Sequence, residues 1–102
     1  MIKIRLIGYH FHNCPDFYVN RPNGSGDYLL LYLRSPTEIM TDNKCIRVPK
    51  NTFILYQKNK PQIYRHIQSG SADDYFINDW IHFDFDEYDN FFEKLEIPLT
   101  LL

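Results

Sequence analysis

From its start to about residue 85 the chain reads as short apolar or alternating runs, each cut within a few residues by Pro, Gly, Asn or Asp. That rhythm constrains the fold more than any other feature, because runs of strand length separated by turn signals have few ways to bury their apolar faces. Ile2, Ile4 and Leu6 alternate with Lys3 and Arg5, the period of a strand with one buried face. Asn13-Cys14-Pro15-Asp16 and Arg21-Pro22-Asn23-Gly24-Ser25-Gly26 are turn and loop chemistry. Residues 28–33 form an apolar run that ends at Ser35-Pro36. Residues 37–41 and 44–48 flank Asp42-Asn43, a pair that tolerates positive φ, which predicts a hairpin. Pro49-Lys50-Asn51-Thr52 turns the chain into a strand over 53–56, and further strands follow over 62–67 and 75–83. The expected class is all-β, as a sandwich or small barrel.

The end of the sequence changes period. Asp86 can cap a helix over 86–96 whose apolar positions Tyr88, Phe91, Phe92 and Leu95 follow helical spacing, and Glu96-Ile97-Pro98 stops it. Asp89 in its first turn suits the positive end of the helix dipole. Leu99-Thr100-Leu101-Leu102 then forms an apolar stub, from which we expect the natural protein to continue.

A chain of 102 residues has room for one domain, over 1–102, with one core. Its net charge of −2 gives no electrostatic footprint for a phosphate backbone, so the chain alone is a poor nucleic-acid binder. Cys14 and Cys45 are too few for a disulfide framework, and their spacing matches no zinc signature. Nothing near residue 1 resembles a signal peptide, and no run approaches the ~18 apolar residues of a membrane span. A cytoplasmic protein with reduced thiols and no membrane partner is expected.

Several segments, in this order and spacing, resemble the N-terminal effector-binding domain of the AraC/XylS transcription regulators. They are Arg21-Pro22 before Asp27-Tyr28, the turn from Arg47 through Pro49, Asn51 and Thr52 to Leu55, and Pro61 with Tyr64. Asp79-Trp80-Ile81-His82-Phe83 and Leu95-Glu96-Ile97-Pro98-Leu99 complete the set. The resemblance implies a cupin-like jelly-roll barrel over 20–85 with a short helix over 86–96, holding a small effector, often a sugar, without chemistry or cofactor. It also implies dimerisation helices and a helix-turn-helix DNA-binding domain downstream, through which alone the protein would dimerise and touch DNA. The segment before Arg21 would move as the barrel fills. The family usually places Gly after Pro-x in the turn, where the backbone needs positive φ; Asn51 is the next most tolerant residue.

The candidate ligand contacts are Arg21, Tyr64, Asn78 and Trp80. Trp80, the only tryptophan, shares a strand face with Phe76, Asn78 and His82, a mixture of flat rings and polar groups that suits a small-ligand cavity. An indole stacks on the C–H face of a sugar while a neighbouring amide reaches a hydroxyl. A plain core aromatic is the competing reading of Trp80. Arg21 matches the family's effector-binding arginine, and its planar fork suits a carboxylate or adjacent hydroxyls; a surface arginine before Pro22 is the alternative. Tyr64 matches a pocket tyrosine, or is a half-buried strand residue.

His10-Phe11-His12 would put two imidazoles on one strand face with Cys14 next in register. Metal-binding cupins take their His-x-His from inside the barrel and add a His after the turn, whereas Leu55-Tyr56-Gln57 follows here. No metal and no catalytic residue is expected, and His82 reads as a polar strand residue. Asp84, Asp86, Glu87 and Asp89 fit a helix start, not a paired-carboxylate site. A free-standing cupin enzyme, a sugar isomerase or metal-dependent oxygenase, is the second reading; it would require the missing ligand set.

Overall fold

The computed structural model describes residues 2–41, 44–85 and 100–101. The strands among them are β1 (Ile2–Asn13), β2 (Tyr18–Arg21), β3 (Tyr28–Leu33), β4 (Thr37–Thr41), β5 (Lys44–Val48), β6 (Thr52–Tyr56), β7 (Gln62–His66), β8 (Phe76–Phe85) and β9 (Thr100–Leu101). They form two antiparallel sheets, ordered β1-β8-β3-β6-β9 and β2-β7-β4-β5. Only β4 and β5 are both consecutive and paired among the described strands. Most other connections carry the chain from one sheet to the other, so the two sheets share one core.

That core follows from the period of two. In β3, Leu29, Leu31 and Leu33 face inward at no more than 1% exposure, while Leu30 and Tyr32 stay half-buried on the outer face. Ile54, Tyr56 and Phe76 join them from the same sheet; Val19, Ile39, Val48 and Tyr64 come from the other. Each fully buried large apolar side chain contributes about 1.5–3 kcal/mol by leaving water. Thr37, also fully buried, donates its hydroxyl hydrogen to Ser35 O at 2.9 Å and so carries no unmet polar atom inside.

Several expectations need correction. Among the described residues no ladder joins the edge strands of one sheet to those of the other, so the all-β class takes the form of two antiparallel sheets that are not closed on each other. Tyr18–Arg21, inside a stretch read as turn and loop, is a strand that pairs with β7; Val19 alone of its four residues is buried, too little to form a pattern. β1 runs on to Asn13, and the face expected to be buried is open, with Ile2 and Ile4 each 59% and Leu6 56% exposed. Among the described strands β8 is its single neighbour, and a register shift between Ile4 and Leu6 breaks the alternation. The expected helix over 86–96 lies outside the described residues, as does Asp42-Asn43. No helix among the described residues is long and apolar enough to cross a membrane.

The Asn51 turn follows the sequence. Asn51 takes φ 66°, its N–H donates to Leu33 O at 2.7 Å, and its side-chain oxygen accepts from Tyr32 Oη at 2.8 Å.

Candidate functional site

Alternation along β8 decides what faces the other sheet. Leu29, Leu31 and Leu33 oppose His82, Trp80 and Asn78 in the β3–β8 ladder, so those three residues share the inner face with buried Phe76. On the other side of β8 lies β1, with Gly8 opposite Trp80 and Phe11 opposite Asn78. Gly8 is where the indole lies: a Cβ built there would fall far inside contact distance of Trp80 Cε2, Cζ2 and Cη2. Phe11 meets the same indole edge-on, centroids 5.0 Å apart. Between Gly8 and Phe11 the ladder slips, and His10 takes φ 51°. This bulge turns the strand without breaking its pairing.

Between the sheets lies a cavity of about 270 Å³ whose walls include Arg21, Tyr64, Asn78 and Trp80. All four residues singled out from the sequence therefore meet in one place, although they come from β2, β7 and β8 in two sheets. Phe17, in the connection between β1 and β2, stacks on Phe76 at 4.8 Å and supplies a further apolar wall. Trp80 is only partly buried, packed against the core yet open to the cavity.

Hydrogen bonds hold the polar groups in place. Asn13 Nδ2 donates to Asn78 Oδ1 at 3.2 Å and to Phe76 O at 3.3 Å. Arg21 is exposed overall, and its Nη1 donates to Gln62 Oε1 at 2.9 Å, leaving other guanidinium hydrogens unengaged by that bond. Burial pushes the Tyr64 phenol up to about 12 despite the opposing charge of Arg21, so it stays a neutral donor and acceptor. Burial also raises the Tyr56 phenol beside it; that hydroxyl finds no hydrogen-bond partner among the described residues. Such a set has the chemistry to hold and orient a small polar molecule.

Sequence reasoning missed two members of this neighbourhood. Gln62 is wholly buried, two residues before Tyr64 on the same strand face, a spacing that could have identified it. Asp27 is buried directly before β3, where its charge reads from sequence as a loop residue. His82, which the strand period puts on the face of Trp80 and Asn78, walls the cavity with them.

A second hollow of about 410 Å³ lies on the outer face of the five-stranded sheet, floored by Leu30 and Ile81. Its charges are matched internally: Arg34 Nε and Nη2 donate to Asp79 at 3.0 and 2.8 Å, and the guanidinium lies over the rings of Tyr9 and Tyr32 at 5.5 and 4.9 Å. The Arg34 pairing holds the Asp79 carboxyl below its usual range. The imidazoles of His10 and His12 lie 5.2 Å apart, yet no three His, Cys, Asp or Glu side chains converge among the described residues. No known family model matches this chain, and comparison with curated proteins finds no match.

Proposed function

We propose that this chain is a ligand-sensing domain that binds a small effector between its two sheets and does no chemistry on it. One observation carries the reading: Arg21, Tyr64, Asn78 and Trp80 wall a single cavity of about 270 Å³. The walls combine aromatic faces with a few convergent polar groups, the composition of a small-molecule site. The order of sequence segments adds the finer reading, a cupin-like jelly roll serving as the sensor of an AraC-type transcription regulator in the cytoplasm. On that reading the effector controls DNA binding by a separate helix-turn-helix domain of a dimeric protein, and must bind one conformation better than the other.

Thermal-shift and Trp80 fluorescence screens against sugars and small carboxylates test the binding. With no second indole in the sequence, an emission change reports on the surroundings of Trp80, which borders both this cavity and the outer hollow, and loss of the response in Arg21→Ala assigns it to this cavity. Trp80→Ala should weaken a hit by about 1–3 kcal/mol while leaving the fold intact. Failure of Trp80→Ala to fold, with no compound altering wild-type emission, would reassign Trp80 to the core.

A further inference from the structure

The binding reading leaves a buried carboxylate beside the cavity without a role. Asp27 is 5% exposed; it accepts from Ser25 Oγ, faces His82 Nδ1 at 2.9 Å, and has Arg5 Nε at 3.9 Å from Oδ2. Gln62 Nε2 donates to Ser25 Oγ at 2.9 Å, so the serine hydrogen is directed at Asp27. An ionised carboxylate can only accept. With Asp27 as the acceptor, Nδ1 carries the hydrogen between them, and a neutral ring so held presents its lone pair on Nε2. That ring lines the cavity. The groups around it mostly offer hydrogens. Arg21 has donors alone, and Asn78, whose oxygen already accepts from Asn13, has its amide hydrogens to give.

We propose that His82, oriented by Asp27, is the acceptor through which this cavity selects its ligand, a small hydroxy acid. The ligand's hydroxyl donates to His82 Nε2 and its carboxylate meets the Arg21 fork, with Trp80 as the flat wall between them. Arg21 and His82 stand on opposite sheets, so a molecule that touches both bridges the gap. This rests on the binding reading above and adds to it that a hydroxyl, and not shape alone, decides which molecule is held. A site that hydrogen-bonds a ligand hydroxyl leaves its own acceptor unpaired when the hydroxyl is missing, which is the strongest form of discrimination open to a small cavity.

Two measurements on the whole chain test this. Long-range nitrogen–proton correlation spectra at pH 8 should show His82 with its hydrogen on Nδ1; the Nε2–H tautomer would overturn the proposal. Mandelate and phenylacetate, which differ by one hydroxyl, are then titrated against Trp80 fluorescence. Mandelate should bind at least tenfold more tightly. His82→Phe keeps a ring and removes the acceptor. Asp27→Asn offers Nδ1 an amide hydrogen and moves the imidazole hydrogen to Nε2. In either variant the preference should fall to parity, and one folded variant, checked by circular dichroism, suffices. Equal binding of the two acids by the wild type would sink the proposal and leave the binding reading intact, provided the screen gave a hit. Silence from both acids and from the whole screen would remove both.

Discussion

Gly8→Ala is the sharpest probe of how the cavity is built. The added methyl would meet three atoms of the Trp80 six-membered ring, a rigid plane with no flexible end to yield. Carbon atoms rest about 3.5–4.0 Å apart, so the methyl must gain roughly an ångström or more of clearance. Two motions can supply it. The indole can rotate from Gly8, losing its edge contact with Phe11 and its packing on the core, or β1 can lift from β8 near an existing bulge. Overpacking of this kind costs about 1–3 kcal/mol. In a domain of this size each kcal/mol lowers Tm by about 4–8 °C. Urea denaturation followed by Trp80 emission reads stability and indole environment together. The expected result is a lower midpoint with a red-shifted native spectrum. An alanine variant with wild-type midpoint and spectrum would refute the placement of Trp80 against β1.

Two further outcomes follow from other parts of the fold. Hydrogen bonds from His66 and the Ser69 N–H hold the Asp74 carboxyl below its usual range, despite opposing burial. A depressed carboxylate contributes stability that is complete above its unfolded pKa, about 4, and is lost as pH falls through the folded value; Asp74→Asn should therefore flatten the acid limb of a plot of urea midpoint against pH, and an unchanged limb would contradict this. Asn51 sits at φ 66°, so Asn51→Ala should cost about 1–2 kcal/mol while Asn51→Gly, which loses the Tyr32 bond but no backbone freedom, costs less. Equal midpoints for the two variants would contradict the strain.

The strand rhythm was legible where apolar runs are dense. Residues 28–33, 37–41 and 44–48 were read with the bounds that β3, β4 and β5 take, because Tyr, Leu, Ile and Val recur between unmistakable turn residues. β2 was not legible, since Tyr18-Val19-Asn20-Arg21 hides one buried residue among polar ones and depends on β7 for its form. The exposure of Ile2, Ile4 and Leu6 was equally hidden: alternation announces a strand but not whether a second sheet covers it. Of the candidate site, Asn78 and Trp80 could be paired by the period of β8. Bringing Arg21 and Tyr64 to them required sheet order, which no local pattern encodes. Asp27 and Gln62 were missed because a polar residue gives the same signal in sequence whether it faces water or a buried partner.

The pairing of β1 with β8 has a consequence for how the chain is made. Asn13 and Phe76 are 63 residues apart, His10 and Asp79 are 69 apart, and β1 has no other neighbour among the described strands. On a ribosome adding about 5–20 residues per second, β1 waits several seconds for its partner to be synthesised. Contacts so distant in sequence also carry a large loop-closure cost, so the edge should close late during refolding. Throughout that interval Ile2, Ile4, Leu6 and Ile7 form a β-prone apolar segment without its β8 partner, open to pairing with other nascent chains. Lys3 and Arg5 interrupt it with like charges, which repel a second copy in register and keep the segment in solution until β8 arrives.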